Sequence, residues 1–432
     1  EKIYRGSNER APQNGKIIEE ISKLRQEKAQ ILGFENYAQL SLASKAAPSE
    51  EAVLELLNRL ADLSIKPAKE DVAALLPLAK KDGVKNIEAW DFAYYSRKLK
   101  KELYDVDEEY YRPYFEKHQV IDGLFRFLDE MFGIKFQPIE TPVWHDTVTA
   151  YEVLSDTQVI GRIYLDLEAR KGKRDGAWMN EWHSRYTVNG ETYLPTVFLT
   201  CNFPQSSADS PSLLTHYDVV TLFHEMGHGL HHLLSKVSEP LVSGIRGVAW
   251  DVVEFPSQFL DKFPYTPEVL SIFARHFETG ERLDAKAIVK LDQARNFQSA
   301  YATSRQVQFG LFDFLLHQKF HSEEETQTLL DTVQERLSPI QSPPYAKFQH
   351  QFQHIFAGGY AAGYFSYKWA EVLSADAFLL FQEHGVVNSE LGRKYRETIL
   401  SKGGSKDMSE LYRDFAGRDP DVESLLKLDG II

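Results

Sequence analysis

Residues 224 to 228 read His-Glu-Met-Gly-His, and this pentapeptide constrains the chain more than any other stretch. On an α-helix, His224 and His228 stand one turn apart on the same face. Two imidazoles so placed can share one metal ion. Glu225 is rotated off that face by one residue, where it can reach a water at the metal without being a ligand. This is the arrangement of zinc peptidases. The local sequence supports a helix. Thr215 and Asp218 have capping-box spacing, with Asp in place of the usual Glu or Gln. Val219, Val220, Leu222, Phe223, Leu230, Leu233 and Leu234 then supply apolar positions with no proline inside. The competing reading is a helix whose histidines are merely hydrogen-bonded.

A catalytic zinc takes three protein ligands and keeps one position open. A third His six residues past His228 would mark one zincin class, but that position is Leu234. His231 lies near the same helix face. At 1.5 Å per residue it is about 10 Å along the axis from His224. It and His232 are therefore read as residues supporting the ligands or lying at the surface. Among downstream carboxylates, Glu239, Asp251, Glu254 and Asp261 are candidates. Glu254 lies in Trp-Asp-Val-Val-Glu-Phe-Pro-Ser-Gln, residues 250 to 258, an apolar setting in which an unpaired carboxylate is expensive. If this stretch is helical, Asp251 shares its face. A ligand Glu beside an orienting Asp would account for both acids; a capping or salt-bridged pair is the alternative.

The length of 432 residues allows two or three domain-sized units and a large core. A net charge of −14 argues against nucleic acid and anionic membranes as partners. The single cysteine, Cys201, excludes an intramolecular disulfide and suits a reducing, cytoplasmic setting. In Thr-Cys-Asn it reads as a buried small residue. No uninterrupted apolar run is long enough to span a bilayer, and no secretory signal is present. The chain begins with Glu1 rather than Met, which suggests a processed product or a fragment. An organellar location would follow if a transit peptide had been removed.

Along the chain, helical periodicity runs from Lys16 to Gly33, Ser49 to Ile65, Lys66 to Lys81, Ala89 to Leu103 and Val120 to Phe132. The period then changes. Thr147–Leu154, Val159–Leu165 and Glu191–Leu199 alternate and are rich in β-branched and aromatic residues, as strands are. A small sheet is expected just before the metal helix, either as a brace or as an edge for an extended peptide. Helices return at Pro267–Phe277, Ala285–Phe314 and Glu323–Leu337. The segment from His354 to Tyr367 holds Gly358, Gly359 and Gly363 and reads as a loop. Tyr360, Tyr364 and Tyr367 can share one face there. Their hydroxyls suit a developing oxyanion; an aromatic core stripe is the plainer reading.

At this point the chain resembles the thimet oligopeptidase family of zinc peptidases. The resemblance rests on Leu32-Gly-Phe-Glu-Asn-Tyr37, Ala89-Trp-Asp-Phe-Ala-Tyr-Tyr95, Tyr111-Arg-Pro-Tyr-Phe115 and Gly176-Ala-Trp178. It continues through Phe223 to Gly229, Val253-Glu-Phe-Pro-Ser-Gln258, Phe309-Gly-Leu-Phe-Asp313 and His354 to Tyr367. It implies one zinc per chain, held by His224, His228 and Glu254, with Glu225 as the catalytic acid/base. It implies Asp251 behind the ligands, and His354, Tyr360 and Tyr367 as substrate or transition-state contacts with Tyr364 nearby. The implied fold is mainly α with a small β-sheet next to the active site, a zincin-like, two-lobed peptidase with a deep channel. A helical region 1–140 would contribute to the channel walls, and 141–432 would carry catalysis. The implied activity is hydrolysis of internal bonds of short peptides by a monomer. Family chains ordinarily carry roughly 200 or more residues ahead of the region matching Glu1, so a missing N-terminal segment is expected to complete the opposing lobe. Met226 stands where the family often has Phe. Two other activities remain in play: a dipeptidyl carboxypeptidase of the same family, and a zinc-containing protein that binds peptides without turnover.

Overall fold

The strand-period stretch folds into one sheet and one hairpin in a computed structural model that describes residues 1–104, 108–207 and 210–432. The strands are β1 (Ile134–Pro138), β2 (Thr149–Ser155), β3 (Gln158–Glu168), β4 (Trp178–His183), β5 (Tyr186–Val188), β6 (Glu191–Tyr193) and β7 (Thr196–Phe203). The sheet order is β1-β2-β3-β7-β4, and β5 pairs with β6. Only β3 and β7 run parallel; the other pairs are antiparallel. The expected strand Glu191–Leu199 is thus two. Its first part closes a hairpin around Asn189 and Gly190, both at positive φ (52° and 83°), as such a two-residue turn requires. Pro195, which cannot donate to a ladder, separates it from β7.

The remaining described elements are helices, so the architecture is mainly α with a small mixed sheet. The chain folds into two compact units, Glu1–Asp105 with Asn296–Trp369 and Val422–Ile432, and Val106–Arg295 with Ala370–Asp421. These units do not divide at the boundary expected near residue 140. Each joins segments that are remote in the chain, a pairing that local periodicity does not encode.

In the unit that starts at Glu1, the helix Glu50–Ala73 runs unbroken through Pro67, where the sequence suggested two helices. Leu57, Leu60, Ala61, Ser64 and Ala68 form one continuous buried face, and that burial outweighs the hydrogen bond the proline removes. Against it packs Ser299–Leu316. A β-carbon on Gly310 would lie 3.1 Å from Leu57 Cδ2. The stretch Ala285–Phe314, expected as one helix, is interrupted at Gln298, whose φ of 58° ends helical propagation between Ala285–Arg295 and Ser299–Leu316.

In the other unit, Val197, Leu199, Cys201 and Phe203 form the buried face of β7. The helix His216–Leu233 lies on it. Gly229 permits that approach, since a β-carbon there would come within 3.3 Å of Leu199 Cδ2. The expected capping box is present: Thr215 Oγ1 accepts from Asp218 N at 3.0 Å, and Asp218 Oδ2 accepts from Thr215 N at 2.8 Å. Phe223 and Phe263 both pack on Phe127, at centroid distances of 5.9 and 5.1 Å, and anchor the helix from behind.

Candidate metal centre

The helix His216–Leu233 presents His224 and His228 side by side, with ring centroids 5.1 Å apart and the planes nearly perpendicular. Glu254 reaches them from a segment that turns at 250–254 and enters a short helix at Phe255–Leu260. Its Oε2 lies 3.3 Å from His224 Nε2 and 3.2 Å from His228 Nε2. One ligand atom from each residue falls within 4.8 Å of the other two. Ser257 Oγ donates to Glu254 Oε2 at 3.0 Å and to its own-turn carbonyl, Glu254 O, at 2.9 Å, which fixes the carboxylate's direction. The close approach of helix and turn depends on Gly227. A β-carbon there would stand 2.5 Å from Pro256 O and 2.5 Å from Ser257 Cα.

The electrostatics are those of a cation site. Burial disfavours protonated His224, yet hydrogen bonds and charge from Asp261 and Glu254 outweigh it and push the imidazole up to about 10. Burial likewise works against ionised Glu254, and the two histidines overcome it and hold the carboxyl well below its usual range. Glu254 supplies a negative charge and the two histidines supply ring-nitrogen lone pairs, which a divalent cation would take up in place of the proton. Two imidazole nitrogens and one carboxylate oxygen are also the borderline-soft donor set that suits zinc and leaves a fourth position open. The residues present therefore fit such an ion.

Glu225 is 6 % exposed, and its Oε2 is buried without a hydrogen-bond partner among the described residues. Burial raises its pKa above the ordinary carboxylate value; the neighbouring histidines and the backbone N–H of Met179 on β4 oppose that rise without cancelling it.

Other expectations distribute differently. Asp251 is fully buried, but it lies in the turn before Phe255 and not on a helix face shared with Glu254. The carboxylate at His224 Nδ1 is Asp261, whose Oδ2 lies 3.4 Å away. Its position at the end of the helix Phe255–Leu260, seven residues after Glu254, was the available signal. His231 and His232 are not surface residues: both are fully buried. Neither ring nitrogen of His231 has a hydrogen-bond partner among the described residues, and burial pushes its pKa down to about 3. His232 Nε2 instead meets His183 O on β4 at 3.2 Å and Glu181 Oε2 at 3.5 Å.

His354, Tyr360, Tyr364 and Tyr367 belong to the unit that starts at Glu1 and are grouped there. Tyr360 and Tyr367 stack at 5.0 Å; Tyr364 meets Tyr367 edge-on at 5.2 Å and His354 at 5.7 Å. The loop expected from the glycines is a short turn of helix Gln353–Phe356, a wound turn through 357–365 and the start of Ser366–His384. Tyr364 Oη donates to Gln306 at 2.9 Å, and burial pushes its hydroxyl up to about 12.

The profile of peptidase family M3 matches residues 1–430. Oligopeptidase A of Escherichia coli (strain K12) is 42 % identical over 446 residues, covering 100 % of this chain and 66 % of that protein. The organellar oligopeptidase A of Arabidopsis thaliana is 40 % identical, covering 100 % of this chain and 57 % of its own length. A dipeptidyl carboxypeptidase of E. coli is 32 % identical, covering 96 % and 62 %. The chain thus spans less than two thirds of the length of these relatives. Among solved structures, the M32 carboxypeptidase of Deinococcus radiodurans R1 aligns with a TM-score of 0.56 at 13 % identity, covering 96 % of this chain and 74 % of that one, which shows a shared fold. With the family profile matched along 430 of 432 residues, and relatives above 40 % identity over the whole sequence, the chain belongs to peptidase family M3.

Proposed function

We propose that the protein is a zinc-dependent metallo-oligopeptidase that hydrolyses internal bonds of short peptides. The observation that carries this reading is the convergence of His224, His228 and Glu254 within 4.8 Å beside the buried carboxyl of Glu225. Bound by those three residues, zinc would supply Lewis acidity toward a peptide carbonyl and acidify water. Glu225 takes a proton from the attacking water and delivers it to the leaving amine. Its burial favours the base role, because a carboxyl raised above its ordinary value holds a proton more strongly. The resemblance assigns substrate and transition-state contacts to His354, Tyr360 and Tyr367; a hydroxyl or imidazole donor to a developing oxyanion contributes about 3 kcal/mol.

The protein would act as a monomer in a reducing, aqueous compartment such as the cytoplasm. The free, buried thiol of Cys201 suits a reducing compartment, and among the described residues no helix is long and apolar enough to cross a membrane. A second reading, dipeptidyl carboxypeptidase, is favoured by the relative that carries that name. The test is metal analysis together with mass-spectrometric digestion of peptides with free and blocked C-termini. About one zinc per chain with internal cleavage of blocked peptides supports the oligopeptidase. Cleavage of dipeptides from free C-termini alone supports the second reading. Zinc and tight peptide binding without product would leave a peptide-binding protein.

A further inference from the structure

The turn that carries the tyrosines is organised around one buried carboxylate. Asp313, on the helix Ser299–Leu316, is fully buried. Its Oδ1 accepts from Ala362 N at 2.9 Å, and its Oδ2 accepts from Gly363 N at 2.8 Å and Tyr364 N at 2.9 Å. Three consecutive backbone N–H groups converge on one anion, which requires a strongly wound backbone. Ala362 takes that up at φ 47°, in the left-handed region that a residue with a β-carbon rarely adopts. A charge-assisted set of three hydrogen bonds outweighs such strain. Ser41 Oγ closes the turn from outside, donating to the carbonyls of Ala361 and Ala362 at 3.1 and 3.0 Å.

The carboxylate is itself held. His317, one helical turn on, places Nδ1 3.0 Å from Asp313 Oδ1 and 2.7 Å from Asp313 O. Arg25 NH1 lies 2.7 Å from His317 Nε2. A guanidinium only donates, so Nε2 accepts and Nδ1 carries the hydrogen that faces Asp313. The second arm of Arg25 donates to Ile355 O at 2.8 Å, the carbonyl next to His354. One relay therefore grips both halves of the segment, His354 through Ile355 and the tyrosines through 362–364.

We propose that Asp313, backed by His317 and Arg25, is a positioning residue of the reaction. It sets the turn from which Tyr360, Tyr364 and Tyr367 project and ties it to the segment bearing His354. The proposal rests on the reading that these side chains contact substrate, and its test separates the two. In Asp313→Asn, with equal volume, the amide offers one acceptor oxygen where the carboxylate offers two. In the metal-loaded full chain, amide hydrogen exchange at 362–364 should accelerate about 10-fold or more while the helix Glu323–Leu337 is unaffected. Metal content should stay the same. The kcat should fall about 100-fold with KM within about 3-fold, the signature of an interaction made in the transition state. In a Tyr367→Phe background the same substitution should add less than about 3-fold, because both act on one group. Arg25→Gln, which leaves the carboxylate in place, should move exchange and kcat in the same direction by about 3- to 10-fold, and it serves if Asp313→Asn does not fold. Unchanged kcat in Asp313→Asn, with Tyr360→Phe and Tyr367→Phe impaired, overturns the positioning role. Full activity in the tyrosine variants refutes their assigned contact and this role with it. Unchanged exchange at 362–364 overturns the anchor itself.

Discussion

Gly227 lies against the backbone of Ser257: its missing β-carbon would stand 2.5 Å from Ser257 Cα. This contact seats the turn bearing Glu254 on the helix bearing His224 and His228. Gly227→Ala must therefore push backbone from backbone, with no flexible side chain to yield. Such overpacking costs about 1–3 kcal/mol, and here it also displaces a candidate ligand. The expected outcome is a lower melting temperature and at least about 10-fold weaker zinc binding in a competitive chelator titration. Gly229→Ala, which meets side-chain tips alone, Leu199 Cδ2 at 3.3 Å and Val197 Cγ2 at 3.9 Å, should be milder on both counts.

Glu225→Gln keeps the volume and removes the proton acceptor. The variant should bind zinc as the parent does and lose about 10²–10⁴-fold in kcat, read by metal analysis beside turnover. Retention of near-parental turnover in the metal-replete variant would remove Glu225 from the mechanism. Burial raises this carboxyl above its ordinary value, so activity that depends on its ionised form should fall on the acid side as the carboxyl takes up its proton. The acid limb of kcat/KM measures it.

Chelation should abolish turnover, and zinc should restore it. Asp261→Asn tests the contact at His224 Nδ1: loss of such a partner weakens metal binding about 10- to 100-fold. An unchanged affinity in the same titration would show that the 3.4 Å contact contributes nothing.

Asp166, 3 % exposed on β3, accepts from Arg170, from Lys173 at 2.9 Å and from Trp144 Nε1 at 2.8 Å. Burial alone would raise its pKa, but these donors win and hold it well below the usual carboxylate range. Its contribution to stability is complete above the unfolded-state pKa of about 3.9 and is lost as pH falls through the depressed folded value. Asp166→Ala leaves the buried Lys173 without that carboxylate and should cost about 3–5 kcal/mol in urea denaturation at neutral pH. The variant should also lose part of the parent's steepening instability below about pH 4.

What the sequence alone determined was local. The helix His216–Leu233, its Thr215–Asp218 box and the pairing of His224 with His228 follow from spacing and capping within a few residues. Helix periodicity likewise located Asn14–Ile31 and Glu323–Leu337. Elsewhere local rules failed in both directions. Pro67 signals a break that a continuous buried face overrides, and Gln298 carries no breaking signal at all. Tertiary structure decided which carboxylate reaches which histidine. Glu254 and Asp261 sit 26 and 33 residues beyond His228, and their approach depends on a glycine fitting one backbone against another. It also decided that Asp313 would hold residues 362–364, 49 to 51 positions away. Hydrogen bonding and close packing act over a few ångströms in space, and chain distance reports them only where the backbone is regular.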